Sequence, residues 1–207
     1  MKNFVITIAR ENGSGGRAIG EALAEKLGVP FYNRDILRMA SDDSGINESL
    51  FANAEKSFRN TLLFRVAKDA YNGEVIPPDS DNFVSNENLF RYQAKVMLGL
   101  AESESCVMIG RCADFILRDR PNVLRVFIHA PEGVRVRTLV ERHSLTGAEA
   151  RRHMRQKDKR RADSYRASTG SDWRDAGHYD ICFDSDHMGQ EKIIRFIMGY
   201  MNVCFED

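Results

Sequence analysis

Four small residues, Gly13-Ser14-Gly15-Gly16, sit where an apolar β-branched run ends and a helical spacing begins. Glycines in that position let the backbone turn tightly and aim several N–H groups at one point. The head of the following helix adds the positive end of its dipole, so the arrangement suits an anion such as a diphosphate or triphosphate. A tight strand-to-helix turn with no ligand is the plainer reading of the same residues. A second candidate lies far along the chain, where Arg151–Arg166 (RRHMRQKDKRRADSYR) forms a dense cationic run opposed only by Asp158 and Asp163. Arg155, Lys159, Asp163 and Arg166 follow at intervals of four, four and three, which places them on one helix face, with Arg152 and Arg160 on another. Such a run suits a closing lid that brings charge to phosphate, a solvated basic face laced with ion pairs, or a nucleic-acid stripe with Tyr165 stacking on bases.

The glycine stretch is a degenerate form of the phosphate-loop pattern GxxxxGK[ST]. With Gly15 as its last glycine, Gly16 stands on the lysine position and Arg17 on the Ser/Thr position. Arg17 could supply the missing cation, although a guanidinium differs from an ammonium in reach and geometry.

The surrounding pattern alternates. Phe4–Ile8 reads as a buried strand, and Ile19, Ala22, Leu23 and Leu27 as a helix stopped by Gly28 and Pro30. Phe51, Ala54, Phe58, Leu62 and Val66 mark another helix face, Asn72–Asn82 reads as an exposed loop, and a long helix resumes near Ser85 with Leu89, Tyr92, Val96 and Leu100 on one side. Strands follow at Cys106–Ile109, Val123–His129 and Tyr179–Asp184. Pro131 opens one helix, Thr146 with Glu149 makes a capping box for the basic one, and Ile193, Ile194, Ile197 and Met201 mark the last. Strands separated by helices imply an α/β fold with a parallel sheet. The 207 residues suit one domain, with a helical insertion at about 46–103 and a basic lid at about 146–172.

Composition narrows the partners. The formal net charge is zero, so no bulk electrostatic argument favours nucleic acid or an anionic membrane, and no apolar stretch approaches the roughly 20 residues of a bilayer span. Cys106, Cys112, Cys182 and Cys204 lack CxxC spacing and read as reduced, buried thiols. His129, His143 and His153 lack metal-ligand spacing, and Trp173 reads as a packing residue at the base of the lid. The expectation is a soluble, cytoplasmic protein, with the apolar insertion either capping a site or pairing subunits as a homodimer.

Five segments in order resemble the cytidylate kinase-like family of P-loop kinases: FVITIARENGSGGRAIGEALAEKLG, PFYNRDIL, VMIGRCADFIL, KDKRRADSYRASTGSDW and YDICFDSD. The resemblance implies a P-loop NTPase-type three-layer α/β/α fold. It implies transfer of the ATP γ-phosphate to a nucleoside monophosphate, cytidylate-like, with Mg²⁺. In that reading Gly13, Ser14, Gly15, Gly16 and Arg17 hold the donor phosphates. Arg17, Arg155, Lys159, Arg160 and Arg166 supply cations, and Arg38, Arg111, Asp163 and Asp180 contact the acceptor. The chain departs from the family's kinases at the lysine position, and Ile109 and Cys112 stand where acids flank the Gly-Arg pair. Those departures keep a second reading open, a nucleotide-binding or regulatory protein with little turnover, and behind it a nucleic-acid-binding module.

Overall fold

In the computed structural model, residues 3–57 and 74–205 are described. Five strands, β1 (Val5–Arg10), β2 (Phe31–Tyr32), β3 (Cys106–Ile109), β4 (Val123–His129) and β5 (Ile181–Asp184), form one sheet in the order β2-β3-β1-β4-β5. Every neighbouring pair is parallel.

The pleat sorts side chains into two cores. Ile6, Ile8, Val107, Ile109, Leu124, Val126 and Ile128 point to one face, where α1 (Gly16–Leu27) contributes Ile19 and Leu23. The last helix, α9 (Gln190–Phe205), adds Ile193, Ile194, Ile197 and Met201, the four positions its spacing marked. Val5, Cys106 and Met108 point to the other face, against Ile36 of α2 (Asp35–Ser44), Met97 and Leu100 of α4 (Asn86–Ser103) and Ala113 of α5 (Ala113–Ile116). Helices therefore cover both faces, and the architecture is three-layer α/β/α, as expected.

Between α2 and α4 runs α3 (Glu48–Ser57), which buries Phe51 and Ala54 beside Leu89 and Tyr92. The expected face residues Phe58, Leu62 and Val66, together with Asn72 and Gly73 of the loop, lie outside the described residues. Ser85 caps α4 by accepting from the Asn88 amide.

Beyond the sheet, α6 (Glu132–His143) begins one residue after the position expected of Pro131, which serves as its N-cap. The basic helix α7 (Gly147–Thr169) carries the expected capping box between Thr146 and Glu149. A 3₁₀ turn (Ala176–His178) and the short α8 (Ser185–Met188) complete the chain path. Among the described residues, no helix is long and apolar enough to cross a membrane.

The cysteines are free, and Cys106 and Cys112 are buried. Cys182 and Cys204 are exposed, contrary to expectation. Cys182 lies on the edge strand β5, whose buried neighbour Phe183 takes the core side, and Cys204 falls in the last turn of α9. An apolar run signals a strand or helix, but not whether a given residue on it meets the core.

Candidate functional site

The chain reverses its lateral direction around β1: β3 lies on one side of it and β4 on the other. In open parallel sheets, the crevice beyond the carboxyl ends of such strands is where ligands gather. Arg10 and Gly110 end β1 and follow β3 there, and the register places Ile8 beside Ile109.

The glycine loop crosses this edge. Gly13 has φ +87°, a left-handed conformation, and a Cβ on it would lie 2.6 Å from the carbonyl oxygen of Arg135. The absent side chain lets α6 come down onto the loop. Inside the turn, the Ser14 hydroxyl donates to the Glu11 carbonyl at 2.9 Å and accepts from the Gly16 amide at 3.4 Å. The amides of Gly16, Arg17 and Ala18 head α1, where geometry provides no intrahelical acceptor. A second opening of about 210 Å³ lies over Gly13, Ser14 and Gly15, between Val134 and Thr138 of α6 and the Ser185–Gln190 segment.

Beside the loop is a cavity of about 220 Å³. Arg10, Arg111, Lys157, Arg160 and Arg161 bring five cationic side chains to it, and Cys112, Asp114, Tyr165, Trp173 and Tyr179 form its less polar wall. It is smaller than most ligand sites, which run from roughly 300 to 1,000 Å³. Three successive residues, Gly110 (φ +74°), Arg111 (φ +56°) and Cys112 (φ +57°), hold a left-handed path into it. Only glycine takes that path without cost, and at Gly110 a side chain would also collide with the Arg10 guanidinium. Strain of this kind persists where the surroundings over-determine it, and it gathers at ligand sites. The Arg111 guanidinium reaches Asn33 Oδ1 at 3.5 Å.

The cavity wall is tied together by aromatic packing and one short hydrogen bond. Phe127 packs edge-on against Trp173 with centroids 5.6 Å apart, and against Tyr179 at 5.0 Å; Trp173 is buried, as a packing residue should be. The Tyr165 hydroxyl donates to Asp114 Oδ2 at 2.7 Å, tying α7 to α5. Burial pushes the Asp114 carboxyl above its ordinary range, with the Tyr165 hydrogen bond pulling the other way. A carboxyl raised on folding binds its proton more tightly in the native state. Its stability contribution is therefore greatest below the unfolded value of about 3.9 and declines as pH rises towards the folded value. Asp114→Asn keeps the acceptor for Tyr165 and removes this slope. Urea midpoints should show the variant within about 1 kcal/mol of the parent at the acid end, gaining on it as pH rises to neutrality.

A buried ion network joins the loop to the rest of the site. Asp158 Oδ1 accepts from the Asn12 amide at 2.8 Å, and Asp158 Oδ2 from Arg135 Nη1 at 2.6 Å. Arg161 reaches Asp158 at 3.1 Å and also donates to the Arg10 carbonyl at 3.2 Å. Glu11 meets Arg174 at 2.8 Å and Arg135 at 3.4 Å. Burial draws Arg161 below the usual guanidinium range, and Asp158 pulls it back.

Of the cations assigned to a site from the sequence, Arg111 and Arg160 line the cavity, as do Tyr165 and Trp173. The other assigned cations lie elsewhere. Arg17 turns away from the loop to Glu21 at 2.9 Å, with its side chain 58% exposed. Arg155 pairs with Glu132, and Lys159 with Asp163 at 2.8 Å. Arg166 is exposed on the same outer face of α7, and Arg38 is exposed beside Asp35. The stripe Arg155, Lys159, Asp163, Arg166 lies on the more exposed face of α7, where Arg155 and Lys159 line a separate opening of about 340 Å³ with Arg135, Asp158 and Arg174. The inward face is Met154, Asp158, Arg161 and Tyr165, at intervals of four, three and four. Met154 and Tyr165 were the signal, since apolar residues in phase with a charge mark the side that packs.

Asp180 is likewise displaced. It precedes β5, towards the amino ends of the strands, and receives Arg125 Nη2 at 2.6 Å, Arg125 Nε at 3.2 Å and the Arg125 amide at 2.8 Å. Burial alone would raise its carboxyl, but these hydrogen bonds outweigh burial and leave it below its ordinary range. A depressed carboxyl contributes stability above its unfolded value, and this is lost as pH falls through the folded one. Asp180→Asn should therefore cost about 1–2 kcal/mol at neutral pH, read from urea midpoints, and little once the parent's carboxyl is protonated.

Arg10, Glu11, Arg135, Asp158, Arg161 and Arg174 were not marked from the sequence. Arg10 had one available signal: counting back five residues from Gly15 puts it on the first glycine of the phosphate-loop pattern. The ion partners of Glu11 are more than 100 residues away along the chain, and nothing local announces them.

A parallel three-layer α/β/α architecture with a glycine loop at its switch point, and a cation-lined cavity beside that loop, is the arrangement of a P-loop-type fold. The Cytidylate kinase-like family matches residues 5–187, and the chain belongs to that family. It is 24% identical over 213 residues to a cytidylate kinase of Methanopyrus kandleri, covering 99% of this chain and 96% of that protein. It is 22% identical over 202 residues to a cytidylate kinase of Methanobrevibacter smithii, covering 97% and 99%. A crystal structure of a protein from Eubacterium ventriosum superposes with a TM-score of 0.69 at 25% identity, covering 97% of this chain and 99% of that one. Family and fold together point to nucleotide phosphotransfer.

Proposed function

We propose that this chain is an ATP-dependent phosphotransferase whose acceptor is a nucleoside monophosphate, cytidylate-like. The observation that carries the reading is the convergence of Arg10, Arg111, Lys157, Arg160 and Arg161 on one cavity at the carboxyl ends of β1 and β3. In phosphoryl transfer, negative charge spreads over the transferred oxygens, and catalysis is mainly positioning and electrostatic stabilisation. The acceptor phosphate would lie against Arg111 and Arg10, and the donor phosphates against the loop from Asn12 to Arg17. An ionised acceptor phosphate needs no general base. Arg160, Arg161 and Lys157 come from α7, so movement of that helix would admit substrates and then exclude water from the cavity.

The family implies magnesium as well as ATP. Two carboxylates beside the loop, Glu11 and Asp158, both contact Arg135 Nη1, so a guanidinium stands between them, and a third, Asp186, borders the opening over Gly13–Gly15 by itself. Among the described residues, no group of three His, Cys, Asp or Glu side chains could hold a metal. These residues do not form an all-protein cage for magnesium, and Asp186 is the carboxylate placed to meet an ion carried in on substrate phosphates. A magnesium ion bound through substrate phosphates needs no such cage.

One observation favours the second reading, a nucleotide-binding protein with little turnover. A Cβ on Gly16, where the pattern has lysine, would lie 2.6 Å from Arg10 Cβ, so the loop has no room for that side chain. Losing a transition-state cation lowers the rate while ground-state binding survives. Incubation with Mg·ATP and a panel of nucleoside monophosphates, followed by ADP release and by calorimetry of each nucleotide, separates the two. ADP release that depends on the monophosphate supports the enzyme; tight binding without release supports the regulator.

A further inference from the structure

We infer that the Asp158 carboxylate holds the place of a phosphate group, and that a polyphosphate chain displaces it and inherits its arginines. The inference rests on the donor site proposed above and adds the residues that would grip the ligand. Asp158 is the buried anion on which the loop and its arginines converge. It lies on the inward face of a helix otherwise crowded with cations, with its side chain 8% exposed, and one of its oxygens sits on a phosphate-loop amide, Asn12 N–H, at 2.8 Å. Three guanidiniums surround it: Arg135 at 2.6 Å, Arg161 at 3.1 Å and Arg174 at 3.8 Å. A loop amide with several arginines is a donor set suited to phosphate oxygens, which take charge-assisted and paired hydrogen bonds from guanidiniums.

A second observation comes from the donors left over. Arg135 Nε and Asn12 Nδ2 are buried and have no hydrogen-bond partner among the described residues, although the Arg135 side chain is only 8% exposed. An unmade hydrogen bond on a buried donor is costly. A carboxylate offers two oxygens, both already engaged here by Asn12, Arg135 and Arg161. A phosphate chain offers more oxygens and could meet donors that a carboxylate cannot. The charges agree: three arginines face two acids, Asp158 and Glu11, so withdrawing Asp158 leaves a stronger cationic cluster at the mouth of the loop.

Two consequences follow. The arginines freed from Asp158 stand in for the lysine that Gly16 has no room to replace. Because Asp158 also pins α7 to the loop, entry of phosphate releases that helix at one point, and lid movement becomes linked to donor binding.

Inorganic tripolyphosphate is the probe, titrated by calorimetry at fixed ionic strength into the wild-type protein and Asp158→Asn. Removing the competing charge should tighten binding by about tenfold or more, the size expected when a charge-assisted hydrogen bond is freed. Equal or weaker binding by the variant overturns the inference. The substitution also leaves buried arginines without a partner and lowers stability, so thermal unfolding is the second readout. Tripolyphosphate should raise the Tm of Asp158→Asn more than that of wild type, whereas sodium chloride at matched ionic strength should not; equal shifts overturn the idea. If tripolyphosphate binds the variant more tightly but no nucleoside monophosphate stimulates ADP release, the enzyme reading fails and this one stands. Turnover by wild type with unchanged affinity in the variant gives the reverse.

Discussion

Arg111→Ala is expected to lower kcat/KM for the acceptor by about 10²–10³-fold, the range seen when one preorganised donor is removed from a site of developing charge. The guanidinium leads from β3 into the cavity on a backbone with φ +56°, and its position is braced by Asn33 at 3.5 Å. Alanine would retain the left-handed strain and lose the contact that justifies it. If Arg111 grips the acceptor phosphate in ground and transition states alike, the loss appears mainly as a raised KM. A loss in kcat at unchanged KM would mean that it acts on the transferring group instead. Arg111→Lys should recover little, because an ammonium cannot make the planar paired contacts of a guanidinium. Steady-state kinetics with the acceptor varied at saturating Mg·ATP make the measurement, and unchanged kinetics in Arg111→Ala would remove Arg111 from the site.

The largest loss of stability is expected from Gly13→Ala. Two penalties coincide there. The φ of +87° disfavours any L side chain by roughly 1–2 kcal/mol. The added Cβ would also fall 2.6 Å from the Arg135 carbonyl oxygen, which is main chain and cannot swing aside as a side chain can. Overpacking of that kind costs typically about 1–3 kcal/mol, so a total of about 2–5 kcal/mol is expected from urea unfolding. The damage should also reach the site. Pushing α6 off the loop moves Arg135 away from Glu11 and Asp158, and both lose their shared cation. Gly15→Ala is the comparison: φ is +77°, but a Cβ there meets nothing within 4 Å, so only the conformational part should remain. Equal losses in the two variants would mean that the contact with α6 carries no weight.

What could be read from the sequence was mostly local. The strand, loop and helix at the start, the capping box of Thr146 and Glu149, and the apolar face of α9 each depend on residues within a few positions of one another. The position of Arg111 was also legible, though not its role, because a basic residue directly after a buried strand falls at the carboxyl edge of a parallel sheet wherever that strand pairs. The rest depended on distant pairings. The strand order decides which loops share the crevice, and it places β3 rather than β2 beside β1. The orientation of α7 was not legible from charge density alone, which singled out Arg155, Lys159 and Arg166 on the more exposed face and left a solvated face among the readings. The inward residues Asp158 and Arg161 belong to the same charged run. Two apolar residues, Met154 and Tyr165, set the phase. The network of Glu11, Arg135, Asp158 and Arg174 brings together four separate stretches of chain, and no spacing rule links them.

Crystals of the protein soaked with cytidine monophosphate would test the acceptor site directly. The account predicts phosphate oxygens within about 3 Å of the Arg111 guanidinium, with the rest of the ligand in the cavity walled by Tyr165, Trp173 and Tyr179. Phosphate density seated instead on the outer face of α7, beside Arg155 and Lys159, with the cavity unfilled would contradict it.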